Sequence, residues 1–516
     1  MPISQTNQLI KLIKSLTKSE KRNFTIYAKR ISSSDQLKFI QLFEFIDRQK
    51  ILNDEIILIG LDGIKKNQLS NLKRHLYTQI MTSLRMIHIK KNSSIQVREY
   101  YDFAKILYGK GLYLQSLKIV KKAQDLAKKN GYDIILLTLI EFRKLIEARH
   151  ITRTGPFANN ELTELADQNV DQISVMIKLS NLRLRIHGEY IKYGHVKDQE
   201  GYEKVRVFFD EHMPQFDEDS LGFISKSYLY QSYVWLYYIQ LDFKRCYESA
   251  IQWINASKEF PQGIERDPDL LMRGYHYILT SAYNMGDHSN YVKYLEEIEA
   301  FRTKNYKKFN ANSKIISFMY VHHGRLNKYF LTGEFKQGVE VLPRTVKRIN
   351  RYRNKLDDHR ILVFYFKIAW MYFGNNQPDM TIQYLNKITN QHIENLRADL
   401  QGYSRLLFLM AHYDLKNYDI IEYVYNRVKR FYDNYQEKNA VQESVLRFFK
   451  KVIKLPVKEH LDHFKLLQQE LLRLKDDPFE IRPFLYLNFP AWVEAKILNK
   501  PMAEIIKQHL LQPIDS

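Results

Sequence analysis

The side chains best suited to bind another molecule are two runs of basic residues in the second half of the chain. The second run carries six positive charges in twelve residues and no acid. Positions 344, 347/348, 351 and 355 share one face of a helix, where like charges repel one another. Such a face indicates an acidic ligand. The predicted partner-binding residues are Lys304, Lys307, Lys308, Arg344, Lys347, Arg348, Arg351 and Lys355.

The alternative for these runs is a solvated helix face without a partner. Asp357, Asp358 and acids of neighbouring helices would then neutralise the charge. The whole chain has 79 Lys and Arg against 58 Asp and Glu, a net charge of +21. This balance favours an acidic protein or a nucleic acid as partner, although solvated Lys-rich helices would give the same count.

A third basic stretch lies near the N-terminus, between Gly63 and Arg98, where eight basic residues occur without an acid. Residues 55–85 fit a helix-turn-helix, with residues 68–75 leading a recognition helix. The alternative is an N-terminal bundle that caps the rest of the chain, because any three-helix bundle mimics this pattern. The possible nucleic-acid contacts are Lys65, Lys66, Lys73, Arg74 and Arg85.

No set of residues predicts catalysis, a cofactor site or a metal site. The pair His460 and His463 is three residues apart on a predicted helix, but its neighbours do not complete a zinc site. The sequence Gly109-Lys110-Gly111 lacks the further glycine of a phosphate-binding loop. One member of the pair His322-His323 is expected to face solvent. We therefore predict a protein that is not an enzyme.

Composition predicts a helical protein of more than one domain. The chain has 516 residues, too many for one core, and its 18 Gly and 13 Pro leave little material for hairpins. The single cysteine, Cys246, fits a reducing compartment. The N-terminus has no apolar signal core, and the longest apolar run, residues 361–373, is too short to span a bilayer. These features predict a cytoplasmic protein that is not bound to membranes.

Helix pairs recur along most of the chain. Residues 228–261 fit two antiparallel helices that meet at Leu241, with Cys246 and Ala250 as small residues between them. Similar turns follow at steps of 45, 47, 43 and 40 residues. The predicted turn positions are Gly111, Leu241, Gly286, Gly333, Asn376 and Lys416.

This unit resembles the tetratricopeptide repeat (TPR), in which a turn with an aromatic residue is followed by small residues at the helix–helix contact. The resemblance implies a right-handed α-solenoid of TPR-like helix pairs. The steps are longer than the repeat length of about 34 residues, which leaves a HEAT-like repeat open. For this reason no peptide-binding residues are transferred.

The sequence as a whole predicts an all-α protein in three parts. Residues 1–96 form a basic N-terminal helical bundle, residues 97–436 the TPR-like array, and residues 437–516 a C-terminal helical cap. The expected function is a non-catalytic scaffold that holds an acidic protein or peptide. The alternative is a nucleic-acid-binding regulator or RNA-associated factor that uses the basic N-terminal region.

Overall fold

The computed structural model describes residues 5–31, 38–49, 53–61, 63–149, 158–390, 398–434 and 439–511. Within these ranges all regular secondary structure is helical, which confirms the prediction of an all-α protein. No helix in the described ranges combines the length and the apolar character needed to cross a membrane. The chain divides into two compact units, Met1–Ile173 and Ser174–Ser516.

The first unit begins with a helical bundle around one apolar core, in which α5 packs against α1, α2 and α3. Thr17 and Glu20 form a capping box at the start of α2, because the Thr17 amide donates to Glu20 (2.8 Å) and the Glu20 amide to the Thr17 hydroxyl (3.2 Å). The short apolar run after Asn53 is a helix. The bundle helices are α1 (Gln5–Ser15), α2 (Lys18–Ile31), α3 (Lys38–Arg48), α4 (Asp54–Gly60) and α5 (Lys66–His88).

The first unit continues with helices around a second, separate core that includes Val97 and Ile140. Here each helix packs on the next, as expected where short left-handed turns join amphipathic helices. These helices are α6 (Ser93–Gly109), α7 (Tyr113–Lys129) and α8 (Asp133–Arg149). The division between the units falls within the 36-residue helix α9 (Ala158–Tyr193).

The second unit continues from α9 as a run of helices that pack on their neighbours in sequence. In addition, α12 packs on α14, α14 on α16, α16 on α18 and α18 on α20. The helices are α10 (Gln199–His212), α11 (Phe223–Ile239), α12 (Phe243–Glu259), α13 (Pro261–Arg266), α14 (Pro268–Asn284), α15 (His288–Asn305), α16 (Ala311–Thr332), α17 (Phe335–Tyr352), α18 (Asp358–Gly374), α19 (Pro378–Thr389), α20 (Ala398–Asp414), α21 (Tyr418–Asp433), α22 (Ala440–Val452), α23 (His460–Lys475), α24 (Arg482–Tyr486), α25 (Phe489–Ile497) and α26 (Met502–Leu511).

The predicted turns are left-handed. A residue with positive φ lets the chain leave one helix and enter the next within two or three residues. All six predicted turn positions have φ between 54° and 75°. Three of them, Leu241, Asn376 and Lys416, are not glycine, so the tight connection holds them in a conformation that costs about 1–2 kcal/mol per residue. Gly131 and Gly194 make further turns of this kind.

Five residues after each of these six turns lies a buried residue, and at three of these positions its side chain contacts the preceding helix. Where the residue is small and polar it caps a carbonyl there: Ser116 donates to the Ala104 carbonyl (2.7 Å) and Thr381 to the Ala369 carbonyl (3.3 Å). The Cys246 thiol is placed in the same way, 3.6 Å from the Val234 carbonyl oxygen. The position is therefore a helix–helix contact, and a small residue there lets the two helices approach each other closely. Its occupants are Ser116, Cys246, Tyr291, Gly338, Thr381 and Ile421.

The C-terminal helices of the second unit return to helices far earlier in the chain. Tyr486 stacks on Tyr403 of α20 with ring centroids 4.3 Å apart. Lys496 forms an ion pair with Asp414 at the end of α20 (2.8 Å). Further along, α26 packs against α16. We call residues 477–511 the C-terminal segment.

The predicted boundaries fall at different places from the division into two units. Residue 96 lies inside the first unit, between its two apolar cores. Residue 436 lies outside the described residues, within the second unit, whose largest core includes residues on both sides of it. The three-part organisation stays a prediction.

Candidate functional site

The helix α17 presents one apolar and one basic face. Its buried residues, among them Leu342 and Ile349, recur at intervals of three and four and face the core. Arg344, Lys347 and Arg351 lie between them and are exposed. Charged side chains on this face stay hydrated, so folding leaves them available to a ligand.

The structure brings the two basic runs together. Tyr306 lies between Lys304 and Lys307, just after α15, and burial together with the nearby Tyr306 hydroxyl raises the pKa of Tyr352 at the end of α17. Lys304 and Lys307 are exposed. We call the set of eight predicted residues the basic patch: Lys304, Lys307, Lys308, Arg344, Lys347, Arg348, Arg351 and Lys355.

One member of the basic patch, Arg348, is fixed by a buried histidine. Its Nη1 donates to Nε2 of His322 (3.2 Å), so the His322 proton is on Nδ1, which donates to the Thr345 hydroxyl (3.1 Å). Burial, together with the charge of Arg348 and two further arginines, lowers the pKa of His322 to about 3. The imidazole is therefore neutral and serves to position the guanidinium.

Arg302 and Arg325 add positive charge beside Arg348. The Arg302 side chain lies over the Tyr306 ring (5.2 Å from its centroid), and its buried Nε has no hydrogen-bond partner. Arg325 is paired with Glu299 (2.6 Å). Burial and the charge of Arg348 lower the pKa of Arg302. Three arginines from α15, α16 and α17 thus meet beside one carboxylate, an arrangement that the spacing along the chain could not reveal.

Asp357 and Asp358 do not pair with the basic patch, whereas Lys308 of the patch has an acidic partner. Asp357 caps α18 and lies 3.2 Å from Arg360. Asp358 forms no ion pair within the described residues. Lys308 pairs with Glu265 at 3.6 Å, and both side chains are highly exposed. In the described part of the chain, no acid lies within 4.0 Å of the charged groups of Arg344, Lys347, Arg351 or Lys355.

The five basic residues predicted near the N-terminus differ in their exposure and in their ion pairs. Lys73 is 5% exposed, and its ammonium is paired with Asp54 (2.8 Å). Its position on α5 therefore serves the bundle, which helical spacing alone did not indicate. Arg85 is exposed but pairs with Asp102 (2.9 Å). Lys65, Lys66 and Arg74 are exposed.

The histidines and the cysteine that we considered for chemistry have structural surroundings. His460 is buried between the Tyr413 hydroxyl (2.7 Å) and the Leu455 carbonyl (3.0 Å). Burial raises the pKa of Cys246 to about 12, which keeps it a thiol. Among the described residues, His, Cys, Asp and Glu form no group of three or more that could hold a metal ion.

Comparison of the chain with protein-family models, with curated proteins and with solved structures finds no match in any of the three. The interpretation of the site therefore rests on its geometry and charge.

Proposed function

We propose that this protein is a non-catalytic scaffold that binds an acidic protein or peptide through the basic patch. The observation that carries the proposal is the exposed basic face of α17, together with the end of α15, where most of the cations have no acidic partner. Uncompensated charge of one sign raises the local concentration of oppositely charged ligands and speeds their association.

The proposal includes a TPR-like α-solenoid of right-handed twist for the helix pairs. It is supported by the left-handed turns, by the buried contact five residues after them, and by the packing of α12, α14, α16, α18 and α20 on one another in order. Stacked helix pairs expose long surfaces without needing a catalytic pocket, which suits a scaffold.

A Glu-rich peptide with a fluorescent label tests the proposal by anisotropy, with a Gln peptide of equal length as the neutral probe. We expect the full chain to bind the Glu peptide at low salt and to lose it at high salt, because exposed charges are screened beyond about 10 Å at 0.1 M. The double reversal Lys347→Glu/Arg351→Glu should weaken binding about tenfold or more, as attraction at two sites becomes repulsion. Arg348 is left unchanged because it also holds His322.

The matched control is Lys118→Glu/Lys121→Glu, two exposed positions on α7 that change the net charge equally. If the control variant weakens binding of the Glu-rich peptide as much as the α17 reversal does, binding depends on net charge alone and the basic patch is not a binding site. Equal binding of the Gln peptide would likewise contradict the proposal.

A further inference from the structure

A second group of basic side chains, three of them cations and two of them neutral histidines, lies on α9, α14, α16 and α18 of the second unit. All its members are half-buried, and on α14 two of them are one turn apart. We call this group the cationic row. It consists of Arg183, Arg273, His276, His323 and Lys367.

Ring contacts connect the row from helix to helix. His276 of α14 stacks on Tyr320 of α16, with centroids 4.5 Å apart and planes 13° from parallel. His323 of α16 stacks on Phe364 of α18, with centroids 4.1 Å apart. These contacts fix each imidazole plane, so its nitrogens have defined directions.

The two ends of the row are also held in place. Lys367 donates to the side-chain oxygen of Asn327 on α16. Arg183 lies over the ring of Tyr228 on α11, 5.0 Å from its centroid. Its Nε and the Nδ1 of His323 are buried without a hydrogen-bond partner. Buried polar atoms are rarely left unpaired in proteins, and the Arg183 Nε–H is a donor, so a missing acceptor is indicated there.

The row has little negative charge near it. Within the described ranges, none of its five members has a carboxylate within 4.0 Å, and Asp267 and Asp269 influence Arg273 from a greater distance. The cations therefore act on one another. Burial, then Lys367 and Arg273, lower the pKa of His276 to about 4. Burial lowers the pKa of Lys367 to about 8.

We propose that the cationic row is a binding site for the phosphate groups of a small, multiply charged anion. Arg183, Arg273 and Lys367 carry positive charge in a partly dehydrated place, which is unfavourable unless a counter-charge joins them. A phosphate group carries up to about two negative charges and three acceptor oxygens. The row offers more N–H donors than the two oxygens of a single carboxylate can accept. These donors belong to Arg273, His276, His323 and Lys367.

Tripolyphosphate and ATP, without divalent cations, are the two probes of this site. Both should bind the full chain in titration calorimetry, with the ionic strength matched between the two titrations. Equal affinities would identify a bare phosphate chain as the ligand. Tighter ATP binding would identify a nucleotide, with its base against the aromatic rings that flank the row.

Two variants locate the binding. Lys367→Met removes a charge and keeps the shape, and Arg273→Gln removes a charge without touching Asn327. Each should lower the affinity for tripolyphosphate about tenfold or more, as expected for a lost charge-assisted hydrogen bond. The control Lys336→Met, at an exposed position of α17, should bind as the unchanged protein does.

Three results would overturn the inference: no binding of either probe, unchanged binding by both row variants, or equal loss in the Lys336→Met control. The Lys347→Glu/Arg351→Glu protein separates this site from the basic patch. It should keep tripolyphosphate binding even where it loses the Glu-rich peptide.

Discussion

Three histidines of the second unit are held in the neutral form by their surroundings. Burial is the largest cause for His276, His322 and His323, and nearby Lys or Arg side chains add to it. Each pKa is lowered, so each imidazole stays neutral far below pH 6.5. On unfolding, these residues regain their ordinary affinity for protons.

This difference makes the free energy of unfolding fall in acid. Between about pH 6.5 and pH 4 the unfolded chain binds a proton at His276 that the folded chain does not, so stability is complete above pH 6.5 and declines below it. One such histidine contributes a slope of about 1.4 kcal/mol per pH unit. The groups that face His276 are Arg273 on its own helix, Lys367 of α18 and the ring of Tyr320 on α16.

The variant His276→Phe keeps a ring on Tyr320 and removes the titrating group. Denaturant unfolding between pH 7 and pH 4.5 should therefore give a shallower loss of stability than in the unchanged protein. The comparison at pH 7 controls for altered packing. A slope equal to that of the unchanged protein would mean that His276 is protonated in the fold or does not titrate in this range.

At the scale of elements, the sequence predicted what depends on neighbours along the chain. The turn at Leu241 and the contact at Cys246 follow from the spacing of aromatic and small residues, and both are in the structure. The length of α9 was not predicted, because the apolar pattern along residues 158–193 is weak. Lys73 was predicted as a possible nucleic-acid contact, but it is buried in an ion pair with Asp54. The sequence pattern did not reveal this pair, because Asp54 belongs to another helix.

The turn at Gly333 does more than reverse the chain. Its φ is +68°, and a Cβ there would lie 2.6 Å from the Ala503 carbonyl oxygen of α26. Gly286 has nearly the same conformation, with φ +70°, but open space around it. The two glycines therefore separate the strain of the turn from the packing of the C-terminal segment.

We expect Gly286→Ala to lower the free energy of unfolding by about 1–2 kcal/mol, the cost of a left-handed residue with a side chain. Gly333→Ala should lower it by about 1–3 kcal/mol more, because backbone atoms of two elements must move apart. Thermal and urea unfolding of both variants give the difference. Equal losses of stability in the two variants would show that α26 can move away from Gly333 at no measurable cost.

At the scale of the whole molecule, the C-terminal segment could not be placed from the sequence. The prolines at 478, 483, 490 and 501 and the end of the turn pattern predicted a C-terminal cap. The structure also brings the segment to α20 and α16. These contacts join residues from 78 to 170 positions apart, and short-range patterns do not encode such separations.

Trp492 lies at the centre of this packing. It is 1% exposed, its indole N–H donates to Asp414 (3.4 Å), and its ring lies 5.5 Å from that of Phe464. The Asp414 carboxylate also forms an ion pair with Lys496, so one acid binds two side chains of α25. Replacing a buried aromatic residue of this size by alanine lowers the free energy of unfolding by about 3–5 kcal/mol.

The variant Trp492→Ala should therefore loosen helices on both sides of the C-terminal segment. We expect amide hydrogen exchange to quicken in α20 and, through α26, in α16, because protection follows the free energy of opening. Leu498→Ala, at a half-exposed position one residue past α25, is the control and should change exchange little. If exchange quickens in α22 and α23 alone, the segment stabilises the last helix pair and nothing further. If it quickens in α16 and α20 as well, the segment connects helices across the second unit. Its release would then loosen α16, which carries His323 of the cationic row and His322, the partner of Arg348.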